Sequence, residues 1–310
     1  MLKPIPEKQP ASGTGDEILD GLLGFMVKFR KIDQMMELAR QGPKQGERGY
    51  MFPWVMNLDP YVLNGRWSWW SEAIAMGKLP DTPIPKLDFT DQSNGGKKHI
   101  EKLMDQLAAK GHVHTSLEYI LDELLWGLGR PMDFGSDKTV NRIKEEPPRE
   151  LFEGSRKWFI ENIRLDILIQ DHCDFWADLI AENKGKSAQR TGFFATPMSI
   201  CEMMARMSFI DPRTPGFDWK KQAVQTMSDP CVGTGRTLLV SSNYCLQLFA
   251  QDIDLLVLKA CNYNLMMFAP WGICPGKGLI KELDEENLKQ PEQVTKPTFT
   301  FNNSGQGSLF

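Results

Sequence analysis

Ala223-Val-Gln-Thr-Met-Ser-Asp-Pro-Cys-Val-Gly-Thr-Gly-Arg-Thr-Leu-Leu-Val-Ser-Ser-Asn-Tyr-Cys-Leu-Gln-Leu-Phe-Ala-Gln-Asp-Ile-Asp254 is the stretch on which the fold turns. A short semi-apolar run closes on Asp229, a turn holds Gly233 and Gly235, and an apolar segment follows without Gly or Pro. That order predicts strand, tight loop and helix, the first half of a Rossmann-like unit. Glycines let the backbone pass close to a ligand, and the start of the next helix offers N–H groups, so a carboxylate or phosphate is expected there. Residues 246–253 predict a second strand, and Asp252 at its end is placed to accept hydrogen bonds from both hydroxyls of a ribose. Loop plus acid suggests a nucleoside-bearing ligand. The longer G-x-G-x-x-G of dinucleotide sites is missing, and Gly235 is followed by Arg236-Thr237 where a P-loop has Lys-Ser/Thr.

Upstream lies Thr191-Gly-Phe-Phe-Ala-Thr-Pro-Met-Ser-Ile-Cys-Glu-Met-Met-Ala-Arg-Met207. Here the sequence resembles the N6-adenine DNA methyltransferases, especially the modification subunits of type I restriction enzymes, whose cofactor half begins with G-Q-F-[FY]-T-P. Gly192, Phe194, Thr196 and Pro197 match in place, while Phe193 and Ala195 depart from the pattern. Asp229-Pro-Cys-Val-Gly-Thr-Gly235 is similar to the family's D-P-A-C-G-[ST]-G, Gln251-Asp-Ile-Asp254 to its G-x-[DE]-[IL]-[DN], and Asn264-Leu265 to its N-[LM] pair. The resemblance implies S-adenosyl-L-methionine as cofactor. Asp229, Cys231, Gly233 and Gly235 would form the cofactor loop, Phe194, Thr196 and Pro197 a lid over the methionine end, and Asp252 the ribose acceptor.

The chain has 310 residues, 41% of them hydrophobic and 25% charged, an ordinary globular balance that leads us to expect two domains. No run of eighteen apolar residues occurs and the first residues lack an apolar signal core, so no membrane span and no export are expected. Cys173, Cys201, Cys231, Cys245, Cys261 and Cys274 form no C-x-x-C pair and fall mostly in apolar patterns, which points to packed, reduced thiols and a cytoplasmic setting. A net charge of −4 argues against strong autonomous DNA binding, although a local basic patch would suffice for contact with DNA.

Residues 16–39 carry apolar positions at three-to-four spacing and predict an amphipathic helix. The aromatic patch with Phe52, Trp54, Tyr61, Trp67, Trp69 and Trp70 reads as core under a loop, with stacking on an unpaired base as the alternative. Residues 97–110 and 115–127 predict two helices, the second opened by a Thr115-x-x-Glu118 capping box. His112 and His114 sit in the turn between them and read as solvent-facing. Residues 150–183 predict one or two further helices. Lys184, Lys186 and Arg190 then offer contacts to DNA phosphate, and Thr196 with Pro197 reads as the cap and first position of a helix. The division expected is a mainly helical N-terminal domain over 1–185, an α/β domain with an abbreviated Rossmann-like methyltransferase sheet over 186–290, and a flexible tail over 291–310.

Members of the resembled family share an [DN]-P-P-[YFW] loop that accepts the amine hydrogens of a flipped adenine and stacks on its ring. No such tetrapeptide occurs in this chain. Lys277, in Gly276-Lys-Gly-Leu279, stands where the family's adenine-contacting acid would be, and Asn302-Asn-Ser-Gly305 where the catalytic loop would be. The catalytic residues are therefore unassigned, and three readings stay open: a degenerate relative, a site completed by a partner subunit or a second copy, or a pocket adapted to another task. Gln306-Gly-Ser-Leu-Phe310 resembles the Q-x-x-L-F peptide with which bacterial replication proteins dock on the sliding clamp, Gln306, Leu309 and Phe310 being the contact residues. The leading expectation is an S-adenosylmethionine-binding, N6-adenine-methyltransferase-like protein. The alternative is a non-catalytic replication or modification accessory protein that works through this tail.

Overall fold

A computed structural model describes residues 44–93, 95–129, 147–184, 194–274, 299–301 and 307–309. The expected helix over 16–39, Lys186, Arg190, Lys277, residues 302–305, Gln306 and Phe310 lie outside them, as does the side chain of Lys184. The described chain mixes α and β structure and is mostly helical. It runs through α1 (Phe52–Val62), α2 (Arg66–Met76), α3 (Gly96–Ala108), α4 (Ser116–Gly127), α5 (Ser155–Asn162), α6 (Leu165–Ile169) and α7 (Trp176–Lys184). After these come α8 (Met198–Ser208), α9 (Trp219–Ala223), β1 (Thr226–Asp229), α10 (Arg236–Ser241), β2 (Gln247–Ala250) and α11 (Leu255–Phe268). Residues 150–183, read as one or two helices, hold three short ones, because Ile163 and His172 interrupt the helical backbone with extended and positive-φ conformations.

Strands β1 and β2 pair in parallel, with Thr226 opposite Gln247 and Asp229 opposite Ala250. After α11 the chain returns to the free edge of β2, where Phe249 and Ile273 form a parallel bridge through Ile273 N–H to Leu248 O (2.7 Å) and Ala250 N–H to Ile273 O (2.8 Å). One strand–helix–strand crossover, β1–α10–β2, thus makes the parallel pair, and α11 carries the chain back to a single bridge on its other edge, the kind of connection that parallel pairing requires. Helix α11 is buried all round from Val257 to Phe268, including Lys259, Asn262 and Asn264, as a helix sandwiched between layers must be. Strands β3 (Phe299–Phe301) and β4 (Gly307–Leu309) form a separate antiparallel pair, with Phe299 opposite Leu309, so the leucine of the tail motif lies on a strand.

The helical region and the strand region share one hydrophobic core running from Tyr50 to Cys274. Trp67, Trp69 and Trp70 belong to it, Trp69 and Trp70 meeting Trp271 edge-on at 5.9 and 6.1 Å, while Trp54 and Tyr61 remain exposed. Charged groups also bridge the two regions. Lys259 Nζ on α11 lies 2.7 Å from Glu118 and 2.8 Å from Asp122 on α4. Glu118 is therefore engaged with Lys259, and Thr115 makes no side-chain cap bond, so the expected capping box does not form. Arg66, fully buried, donates to Pro85 O and Ser242 Oγ at 2.7 Å, and also to Asn243 Oδ1 and Phe268 O. Its guanidinium lies over the Trp271 ring at 5.2 Å. Burial pulls its pKa down to about 9, against the opposing influence of Asp59. Among the described residues no helix is long and apolar enough to cross a membrane.

Candidate functional site

The glycine loop leaves β1 at Asp229 and enters α10 through Gly235, whose φ of +99° is a left-handed conformation that a side chain resists. Cys261 on α11 crowds the same glycine, with its Sγ 3.0 Å from where a Cβ would sit. Gly235 is thus required twice, by backbone angle and by close approach. At the end of β2, Asp252 turns back toward the loop. Its Oδ2 accepts the Gly233 N–H at 2.9 Å and its Oδ1 the Asp254 N–H at 3.0 Å. Asp229 Oδ1 accepts the Cys231 N–H at 3.1 Å, and the loop is stitched to β2 by Val232 N–H to Gln251 O and Gln251 N–H to Asp229 O, both 2.9 Å.

This geometry corrects the expectation of an anion site. The N–H groups of Cys231, Val232, Gly233 and Gly235 all have acceptors within the protein, and two of those acceptors are carboxylates. Asp229 and Asp252, each half-buried at the end of a parallel strand, make this corner locally negative. A carboxylate or phosphate is repelled there, whereas hydroxyl or ammonium donors and a cationic centre are favoured.

Behind the loop lies a polar cluster that the sequence did not announce. Asp174, fully buried just before α7, accepts from Thr234 Oγ1, from Arg236 Nε (2.9 Å) and from Asn264 Nδ2 (2.8 Å). Asn264 also donates to Thr234 O at 2.9 Å, which gives the Asn264-Leu265 pair its physical role: it holds the loop from below. The Arg236 guanidinium reaches further, to Asp174 O, Asp91 Oδ1 and Thr196 O at 3.0, 3.1 and 3.2 Å. Burial alone would lower the pKa of Arg236, but Asp174, Asp178 and Asp91 around it raise it above its ordinary value. The cation stays charged, as a buried ion held by several carboxylates should.

Arg236 also explains how the segment with Phe194, Thr196 and Pro197 comes beside the glycine loop. Thr196 O is tied to the first residue of α10, and Cys201 Sγ lies 3.8 Å from Thr237 Oγ1. Thr196 does not cap α8 as expected. Pro197 occupies the cap position, and the Met198 N–H is accepted by Asp91 at 2.9 and 3.1 Å, from a loop 107 residues earlier. Phe194 is 79% exposed, and Cys231 is also exposed. The structure therefore gathers Thr196, Pro197, Asp229, Gly233, Gly235 and Asp252 around one strand–loop–helix corner, with Phe194 and Cys231 open to solvent. A surface cavity of about 170 Å³, lined by Ile210, Pro215, Phe217, Asp218, Lys221 and Gln225 around α9, includes none of these residues in its lining. No protein-family model, no curated protein and no solved structure matches the chain.

Proposed function

We propose that the corner between β1, α10 and β2 binds S-adenosyl-L-methionine, and that the chain is an N6-adenine-DNA-methyltransferase-like protein of the cytoplasm built on an abbreviated Rossmann-like sheet. The observation that carries the reading is the pair of carboxylates, Asp229 and Asp252, at the ends of two paired parallel strands, one of them clasping Gly233. Vicinal hydroxyls, an ammonium group and a sulfonium centre suit that pair, and a triphosphate does not. The order of the motif blocks from Gly192 to Leu265 supports the same ligand. Methyl transfer to adenine requires groups that accept the amine hydrogens, and the chain has no [DN]-P-P-[YFW] loop to supply them. Binding without autonomous methyl transfer is the expected behaviour, with DNA and a partner subunit completing the reaction.

Isothermal calorimetry with S-adenosylmethionine and with its demethylated product should show binding to the wild-type chain. Asp252→Ala should abolish it while far-UV circular dichroism stays unchanged. Equal affinity in the variant would refute the ribose assignment, and silence in the wild type would refute the cofactor. A methyl-transfer assay on adenine-containing DNA, run alone and with candidate partner subunits, then separates a binding protein from half an enzyme.

A further inference from the structure

Strand β1 has one edge that no described strand covers. Asp229 O accepts the Gln251 N–H, so Asp229 turns its main-chain groups toward β2, and by alternation so does Met227. Thr226 and Ser228 turn theirs the other way, where these groups have no hydrogen-bond partner among the described residues. Ser228 is exposed and the rest of β1 is half-buried, whereas Leu248 and Ala250 on β2 are fully buried. Parallel strands are ordinarily covered, so an open edge of this kind is a template for one more strand. The two ends of that edge differ in character. The largely apolar cavity of about 170 Å³ reaches Gln225, the residue before β1, while Asp229 and Asp252 make the far end acidic.

We propose that the chain's own strand β3 adds to this edge, antiparallel to β1, with Thr300 opposite Thr226 and Thr298 opposite Ser228. Strands β3 and β4 pair over only three residues, too short a ribbon to stand alone in water, so the pair needs a larger sheet to join. In this register Phe299 falls level with Met227 and Phe301 with Gln225, on one face of the strand. Phe301 thereby meets the cavity, and an apolar space of about that volume holds one aromatic ring. Lys296 lies beyond Asp229, at the acidic end. A parallel register would set Phe301 against Asp229 and carry the lysine away from it, so the antiparallel one is favoured. Thr298 and Thr300 turn their N–H and C=O groups toward β1, while Phe299 and Phe301 turn theirs toward β4, so one strand serves both neighbours. Pro297, which has no N–H to donate, faces away from β1. Residues 275–298 reach roughly 80 Å when extended, ample for the roughly 15 Å from the bridge at Ile273 past β2 and β1. Residues 302–305 then run on past the start of β1, away from the corner, and the added strand closes the edge without supplying the loop that methyl transfer lacks. Docking of β3 requires nothing of the ligand at that corner.

Amide exchange followed by NMR on the 310-residue chain tests this residue by residue. The N–H groups of Thr226 and Ser228 should exchange slowly in the wild type. Deleting residues 296–310 should speed both by about tenfold or more, while Met227 and Asp229, bonded to β2, keep their rates. A synthetic peptide of residues 294–310 added to the shortened chain should slow Thr226 and Ser228 again, and Phe301→Glu in that peptide should weaken the effect several-fold. Circular dichroism checks the fold. Where the shortened chain unfolds, Phe301→Glu in the full chain provides the test, with the same contrast between Thr226 and Ser228 on one side and Met227 and Asp229 on the other. Fast exchange at Thr226 and Ser228 in the wild type, or slow exchange there that survives the deletion or Phe301→Glu, overturns the proposal.

Discussion

Gly235 concentrates two separate demands on one residue. Its φ of +99° disfavours any side chain, and Cys261 Sγ closes the space a methyl group would need. Gly235→Ala should therefore lower stability by about 2–4 kcal/mol in urea unfolding. Adding Cys261→Ala should return the steric part and leave a backbone penalty of about 1 kcal/mol. The glycine was legible as part of a tight turn after a strand ending in Asp, whereas its crowding by Cys261 on α11 was not. Asp252 was legible as an acid at a strand end, but its hold on the Gly233 N–H was not, and that bond puts a carboxylate where the loop was expected to receive an anion. Adenosine-containing ligands without phosphates should accordingly bind better than ATP, by a factor that shrinks as salt is added; a calorimetric preference for ATP would contradict the electrostatic reading. Asp174 carried no local signal at all. Its partners lie 60 to 90 residues away in the chain, beyond the reach of any spacing argument.

Helix α8 shows how an element can be foreseen while its anchoring is not. The segment following Thr196 and Pro197 is helical as its pattern implies, but its first amide is satisfied by Asp91 and not by the threonine hydroxyl. Asp91→Ala should lower the melting free energy by about 1–2 kcal/mol and speed amide exchange in the first turn of α8, because it removes both the cap and one acid from Arg236. Thr196→Ala should do neither. The same lesson holds at α4, where Thr115 and Glu118 have the composition of a capping box and Lys259 from α11 takes the glutamate. Local motifs state which bonds the chain can make nearby; tertiary partners decide which it does make.

Acid–base behaviour belongs to the molecule as a whole. Among the six free cysteines only Cys231 is exposed. Burial raises the pKa of Cys173 from the ordinary 9.0 to about 12, and burial raises Cys201, Cys245, Tyr50 and Tyr263 as well. The folded chain thus keeps protons that the unfolded chain releases, so stability present below pH 9 is lost as pH climbs toward 12. Each such group contributes a slope of about 1.4 kcal/mol per pH unit. Urea unfolding between pH 9 and 11 should show the decline, and Cys173→Ala should flatten part of it; a profile as steep as wild type would remove Cys173 from the cause. The crossover from β1 to β2 was legible in the sequence because strand, loop and helix follow one another in order. The common core was not, since nothing local joins Trp69 to Trp271. Arg66 carries the last consequence of that core. One guanidinium from the second helix is lodged among Ser242, Asn243 and Phe268, more than 170 residues further on. Cutting the gene so that translation starts near residue 186 would leave those oxygen atoms without their donor and the Trp271 ring bare to water, and the fragment should collect in inclusion bodies rather than in the supernatant.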